Sequence, residues 1–253
     1  MKRNPTIALT AKWPTFPARL DWIYKNGFAL EYAPDPDRLN HLHQQIDPYL
    51  EQGLQIRYHG YLPGYEIGHY HPIEAEKGLM VHKKVLDQIQ GRGEQVFTIH
   101  IGLNPNDPID SDTALINLRK LVNYGNSLGI TVCLENLRRG ITSDPYVVAD
   151  WSKKTGAMTT FDIGHAVSCD RVQNGTLTAL SFLEIVSERL CEIHLYGREG
   201  DRHYPPERIE QIRDLLDFCL DTDCHWWTIE LDDYDEALFT RRLVQDYLKE
   251  VNK

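Results

Sequence analysis

Eight times along this chain a short run rich in β-branched and aromatic residues gives way to a Gly, Pro or Asp break and then to a stretch with helical period. The runs are TIALTAK (6–12), FALEYAP (28–34), LQIRYHG (54–60), VFTIHIG (96–102), TVCLENL (131–137), MTTFDIGH (158–165), CEIHLYG (191–197) and WWTIELDD (226–233). Strands that alternate with helices in this way build a parallel sheet with crossover helices. The 253 residues match the roughly 250 of one closed barrel. The expectation is an α/β chain forming a single (β/α)8 TIM-barrel domain over 1–253. An open doubly wound sheet is the structural alternative. No G-x-G-x-x-G or G-x-x-x-x-G-K-[ST] follows the first strand, so nothing supports a dinucleotide or P-loop version of it.

The helical stretches carry their own signals. SDTALINLRKLVNYGNSLG (111–129) sets Leu115, Leu118, Leu121 and Val122 on one face, with Ser111 or Asp112 as the expected N-cap. DPYVVADWSKKTG (144–156) has an Asp cap, Pro in the first turn and Gly at the end. PERIEQIRDLLDFCLD (206–221) and DEALFTRRLVQDYLKEV (235–251) are equally periodic. The segment 61–82 is the least regular and reads as a long loop over the barrel mouth that runs into the third helix.

Composition narrows the setting. No apolar run approaches the ~20 residues of a membrane span, so no membrane partner is expected. The start, MKRNPTIALTAKWP, lacks the apolar stretch and A-x-A site of a signal peptide. Cys133, Cys169, Cys191, Cys219 and Cys224 are odd in number and form no C-x-x-C, which reads as reduced thiols in a cytoplasmic protein. A formal charge of −10 repels polyanions at long range and counts against nucleic acid as a partner, while leaving a small phosphorylated substrate open. A homo-oligomer is compatible with the sequence.

The chemistry sits at the predicted strand ends: His59, His100, Glu135, Asp162 with His165 just beyond, His194 and Glu230. In a barrel these ends converge on one face, where the active sites of this fold lie. Carboxylates and imidazoles brought together there would repel or stay unsatisfied without a cation. Glu135 and Glu230 fall inside apolar strands, where a carboxylate is costly unless it is paired or metal-bound, and Asp162 in F-D-I-G-H reads the same way. Taken singly, His59 and His100 read as hydrogen-bonded structural residues. Glu31 is left between orienting a ligand and pairing with a basic side chain. His41, His43, His69, His71 and His82 are expected to face solvent, and His225 to sit at the opposite end of the barrel.

L-E-N-L at 134–137, F-D-I-G-H-A at 161–166, E-I-H-L-Y-G at 192–197 and T-I-E-L-D at 228–232 together resemble the xylose-isomerase-like TIM-barrel superfamily. That superfamily includes sugar phosphate isomerases and epimerases and endonuclease IV. Each motif is short; their order and strand context carry the resemblance, from about Val96 to Asp232. It implies one divalent ion (Mn, Mg, Co or Zn) held by Glu135, Asp162, His194 and Glu230, with the two glutamates moving a proton at the carbon next to a carbonyl. The expected activity is isomerisation or epimerisation of a small sugar, polyol or keto acid through a metal-stabilised enediolate. His165 matches a position that assists the substrate or a ligand. Arg198 resembles a basic substrate contact, and His59, His100 and Arg138 are further substrate-binding candidates.

The same resemblance implies an alternative. Endonuclease IV holds three zinc ions with nine ligands, and His59, His100, Glu135, Asp162, His165, His194, Asp201, His203 and Glu230 match them, with D-R-H-Y-P at 201–205 resembling an Asp-x-His element. P-P-E-R-I replaces the Gly-rich continuation usual after it. A multinuclear site would suit hydrolysis of a phosphodiester in abasic DNA. Only Tyr61-Leu62 and Arg138-Arg139 offer the intercalating and basic side chains that such a substrate needs. A small carbohydrate-like substrate is therefore the expected partner.

Overall fold

All eight strand signals become strands of one closed barrel. The computed structural model describes residues 4–13, 18–104 and 107–253. Of the N-terminal stretch read for a leader, residues 1–3 and 14 lie outside the described residues. The elements run β1 (Thr6–Lys12), α1 (Ala18–Lys25), β2 (Ala29–Ala33), α2 (Leu42–Glu51), β3 (Ile56–Gly60), α3 (Pro72–Ile89), β4 (Val96–Ile99), α4 (Ser111–Ser127), β5 (Thr131–Glu135), α5 (Pro145–Thr155) and β6 (Met158–Asp162). They continue with α6 (Ile163–Ser168), α7 (Asp170–Gln173), α8 (Ala179–Val186), β7 (Leu190–Leu195), β8 (Arg198–Glu199), β9 (His203–Tyr204), α9 (Arg213–Leu220), β10 (Trp226–Ile229) and α10 (Tyr234–Val251). The barrel order is β1-β10-β7-β6-β5-β4-β3-β2, with every neighbouring pair parallel. Among the described residues no helix is long and apolar enough to cross a membrane.

Several boundaries differ from the sequence reading. The N-cap of α4 is Asp110, one residue before the expected Ser111 or Asp112; it is still extended, and its carboxylate accepts the Thr113 N–H at 2.8 Å. Of the expected face, Leu118, Leu121 and Val122 are buried with Ala114, while Leu115 is only half-buried. The mouth loop is shorter than 61–82 suggests, because α3 already starts at Pro72. The 206–221 pattern breaks into a 3-10 turn at Ile209–Gln211 followed by α9. Residues 198–204 close into a small antiparallel hairpin of β8 and β9 that the strand pattern does not announce. In contrast, α5 follows its signals: Asp144 accepts the Tyr146 N–H, Pro145 opens the helix, and Gly156 ends it at φ 84°.

His82 is a correction. It is 2% exposed, on the buried face of α3 one turn after Gly78, whose carbonyl lies 2.9 Å from its Nδ1. The irregular sequence before it hides that it is helical, and burial lowers its pKa to about 4. His43 is half-buried beside Arg92 at 3.2 Å, and His69 is half-buried next to a bridge to Ile109. His41 and His71 are exposed. His225 lies at the N-terminal end of the barrel, where its carbonyl accepts the Thr6 N–H at 2.8 Å.

Period-2 alternation sorts the strand side chains. One set, including Leu9, Leu30, Tyr58, Phe97, Leu134, Phe161, Ile193 and Trp227, is fully buried beneath the helices. The other fills the barrel, and here it is unusually polar for a fold whose interior is commonly branched and apolar. The Thr98 and Thr160 hydroxyls meet at 2.7 Å, Thr228 donates to Glu192 at 2.7 Å, and Arg57 lies 3.3 Å from the other Glu192 oxygen. Trp226 stacks under the Arg57 guanidinium at 4.6 Å and donates to Thr228. A β-bulge makes this possible: Thr159 pairs with Leu190 and Thr160 with Glu192, so Cys191 is the extra residue and Glu192 is re-aimed.

Arg19 clamps the seam where β1 pairs with β10. This buried guanidinium donates to the Thr10 carbonyl at 2.8 Å, the Asp232 carbonyl at 2.7 Å and the Leu231 carbonyl. It thereby ties the C-terminal end of β1 to the segment leaving β10, the seam where first and last strands meet. A lysine cannot reproduce that fork. Arg19→Met should cost roughly 2–4 kcal/mol in urea unfolding, since it leaves buried carbonyls without donors; a loss below ~1 kcal/mol would show that the seam does not need the clamp.

Candidate metal centre

The mouth is assembled by local devices that follow from the sequence. Asn136, just past β5, clips β5 to β6: its side-chain oxygen accepts the Asp162 N–H at 2.8 Å and its amide donates to the Asp162 carbonyl at 3.0 Å. Asp162 caps α6, accepting the His165 N–H at 2.6 Å through Oδ1 and leaving Oδ2 directed elsewhere. His165 Nδ1 is held 2.9 Å from the Asn136 carbonyl. The glycine of F-D-I-G-H is obligatory, because a Cβ on Gly164 would lie 1.9 Å from the Tyr196 ring. That ring stacks on His203 at 4.0 Å and meets His165 edge-on at 6.0 Å.

The four ligands implied by the sequence meet at one atom. His194 Nδ1 lies 3.3 Å from Glu135 Oε2, 3.6 Å from Glu230 Oε1 and 3.8 Å from Asp162 Oδ2. All four residues are buried. These same atoms, with Glu135 Oε1, are buried without a hydrogen-bond partner. Buried polar atoms are normally paired, and orphaned oxygens converging on an orphaned nitrogen are a donor set that a cation would satisfy. Three carboxylates with one imidazole fit a hard to borderline divalent ion.

Glu31, which the sequence left undecided, is fully buried on the other side of the same imidazole, with both oxygens 3.1 Å from His194 Nε2. Other donor groups among the described residues overlap or adjoin the first, including Glu31 with His59, His194 and Glu230, and Glu135 with Asp162 and His165. His59 and His100 bring their Nε2 atoms to 3.3 and 3.2 Å from Glu135 Oε2, and to 3.2 Å from each other. His165, Glu199 and His203 form another group. Asp201 does not join it: it is exposed at the hairpin turn and accepts the Tyr204 hydroxyl at 2.5 Å. Glu199 stands there because the hairpin register pairs it directly with His203. Sequence reasoning missed Glu199, Asn136, Glu192 and Arg57; E-x-x-x-H across a tight turn was the signal for the first.

The arginines part company. Arg138 donates to the Glu199 and Gly200 carbonyls at 3.2 and 3.1 Å, so its fork braces the hairpin. Arg198 is exposed and stacks on Tyr204 at 4.1 Å, outside the cleft. Arg139 is exposed and lines the cleft together with Arg138, His165, Glu199, Leu103 and Leu137. A second cleft, lined by Tyr61, Tyr65, Glu66 and His100, shares Leu103 with the first, so the cluster is approached from two sides.

Ionisation follows from this crowding. Burial alone would lower His59, but Glu31, Glu135 and Glu230 outweigh it and hold its pKa at about 10. Burial likewise opposes the charge on His165, and Asp162 with Glu135 raises it to about 9. Burial pushes Asp162 up to about 7. Burial opposes ionisation of Glu135 and Glu230, yet the neighbouring imidazoles hold both well below the usual carboxylate range. Raised histidines contribute stability that is complete below their unfolded pKa of about 6.5 and is lost as pH rises through their folded values. Raised Asp162 adds a penalty that grows between about pH 4 and its folded value, in the same direction. Metal-free protein should therefore lose thermal stability steadily from pH 6 to about pH 10. A flat Tm over that range would remove the imidazolium–carboxylate pairing.

No known family model matches the sequence. An uncharacterized protein of Methanocaldococcus jannaschii is 33% identical over 187 residues, covering 72% of this chain and 80% of that protein. Among solved structures, a D-tagatose 3-epimerase-like protein superposes with a TM-score of 0.75 at 17% identity, over 98% of each chain. Endonuclease IV from Thermus thermophilus superposes with a TM-score of 0.68 at 15% identity, over 97% of this chain and all of that one. At such identities the superpositions speak for the fold. Identity and coverage place the chain in one family with the Methanocaldococcus protein, and the superpositions show that it shares its barrel fold with the epimerase-like, endonuclease IV and xylose isomerase domain structures.

Proposed function

We propose that this chain is a divalent-metal-dependent isomerase or epimerase acting on a small sugar, polyol or keto acid, phosphorylated or not. The observation that carries the reading is the meeting of Glu135 and Glu230, from strands separated by β6 and β7, at His194 Nδ1, each with an unpartnered oxygen. Glu135, Asp162, His194 and Glu230 would hold the ion. Bound there, it supplies polarisation of a substrate carbonyl. The two glutamates then supply bases: one takes the proton from the carbon next to the carbonyl, and the other, or the same one, returns it. Epimerisation needs return on the opposite face; isomerisation needs return at the neighbouring carbon. His165, fixed through Nδ1, presents Nε2 toward the cleft for a substrate oxygen. Arg138 and Arg139 both line the cleft, and Arg139, the more exposed, is the guanidinium free to meet an anionic end. The fold shared with a D-tagatose 3-epimerase-like protein supports the same class.

Metal-loaded protein in deuterated water should exchange the proton next to the carbonyl of the right ketose or keto acid. Glu135→Gln should slow that exchange by about 10²–10⁴-fold. Silence across a broad panel of ketoses, phosphorylated sugars and inosose-like compounds would remove the reading.

A second reading has its own observation. The donor groups His59–His100–Glu135 and His165–Glu199–His203 beside the first would suit a multinuclear zinc phosphodiesterase like endonuclease IV. Against it stand the withdrawal of Asp201, the engagement of Arg138 in the hairpin and the formal charge of −10. Metal counted per chain should give one ion or at most two, with no cleavage of an abasic duplex. Three zinc ions with salt-sensitive cleavage that Glu135→Gln abolishes would reverse the choice.

A further inference from the structure

Beneath the mouth, two buried carboxylates approach the same imidazole nitrogen, and their surroundings are unlike. Glu192 lies 3.7 Å from His194 Nε2, beyond hydrogen-bond reach. Its own needs are met elsewhere: Oε1 accepts from Thr228 at 2.7 Å, and Oε2 faces Arg57 at 3.3 Å. Glu31 has both oxygens 3.1 Å from His194 Nε2 and otherwise only His59 Nδ1 at 3.7 Å. No lysine or arginine among the described residues forms an ion pair with it. A fully buried carboxylate with an imidazole as its one close partner is unfavourable unless that imidazole carries positive charge on its far side.

We propose that Glu31 is a positioning residue that fixes the tautomer and ring orientation of His194, taking the Nε2–H so that the Nδ1 lone pair faces Glu135, Asp162 and Glu230. The geometry separates the roles of the two carboxylates. Glu192, neutralised by Arg57, is a structural member of the barrel interior. Glu31 is stabilised through His194 by whatever cation occupies the mouth, and in return makes that imidazole a better donor. Glu31 pairs in register with Thr10 and Arg57, and its side chain reaches the ligand cluster from inside the barrel, where it meets His194 Nε2. This inference rests on the metal-dependent reading above.

The two carboxylates predict different signatures. Cobalt(II) is the probe, because its visible absorption reports the ligand field as well as occupancy. Wild-type protein should bind cobalt. Glu31→Gln keeps an acceptor without the charge and should weaken cobalt binding about 10-fold; Glu31→Ala should weaken it about 100-fold and shift the absorption band. In metal-free protein Glu31 faces the His194 and His59 imidazoles, so both variants should also lower the metal-free Tm, and the cobalt loss is what marks an orienting partner. Glu192→Gln should lower the metal-free Tm by stranding Arg57 while leaving cobalt affinity within about 3-fold, well short of the loss at an orienting partner. Wild-type cobalt affinity and spectrum in Glu31→Ala would overturn the proposal. So would the loss of a whole ion per chain, which would make it a direct ligand. Absence of cobalt binding by the wild type would instead overturn the metal-dependent reading itself.

Discussion

Glu31, Glu135, Asp162 and Glu230 are buried within reach of His194 and His59, and none of them pairs with a lysine or arginine among the described residues. So much negative charge in a site shielded from water cannot stand alone. In the metal-free protein the imidazoles must carry the compensating charge, which is why His59, His165 and His194 are all held protonated above their ordinary range. A cation held in the mouth would relieve them of that task and leave Nδ1 of His194 to act as a donor. The local structure around the cluster serves this arrangement. Asn136 fixes the depth of β5 against β6, the Asp162 cap spends one carboxylate oxygen and aims the other, and the bulge at Cys191 rotates Glu192 toward Arg57.

Two charge systems are stacked in the barrel, and they solve different problems. Arg57 with Glu192 is closed on itself: ion pair, threonine hydroxyl and tryptophan ring leave Glu192 supplied with donors. It gives the interior polar residues with fixed partners where the fold more often carries branched apolar side chains, and it gains geometric definition at some cost in stability. The layer above is left open toward the mouth, with unpartnered oxygens on Glu135, Asp162 and Glu230. The contrast argues that the orphaned atoms are not a failure of packing, because the same barrel satisfies a comparable charge one layer down.

The barrel was legible because its evidence is repeated: eight apolar runs, each ending in a break, needed no single boundary to be right. Strand-end carboxylates such as Glu135 and Glu230 were legible because a charge inside an apolar run has few innocent explanations. What escaped shares a different character. His82 was misread because the irregular sequence before α3 conceals the helical turn that buries it against Phe97. Arg19 and Arg57 look like ordinary surface cations in a linear sequence, and only the closed barrel shows that one ties the seam and the other fills the interior. The cap of α4 moved to Asp110 because three consecutive residues, Asp110, Ser111 and Asp112, all qualify by type, and the extended backbone at the first decides among them.

The hairpin after β7 shows most clearly how pairing overrides spacing. In the linear sequence Asp201 and His203 stand two apart, and a strand would put them on one face. The chain instead turns at Gly200–Arg202, so the residue beside His203 is its cross-strand partner Glu199. Asp201 is carried to the turn, where it takes the Tyr204 hydroxyl. His203 keeps its ring in place through the Glu230 carbonyl at 2.9 Å and the Tyr196 face, so the histidine is recruited while the aspartate is not. Arg138 reaches across to the carbonyls of Glu199 and Gly200, and the Ser168 hydroxyl oxygen accepts the Glu199 N–H at 2.8 Å, which fixes the hairpin against both β5 and α6. A glutamate, with its longer side chain held on a braced hairpin, therefore occupies the place beside His203 that the sequence resemblance assigns to Asp201.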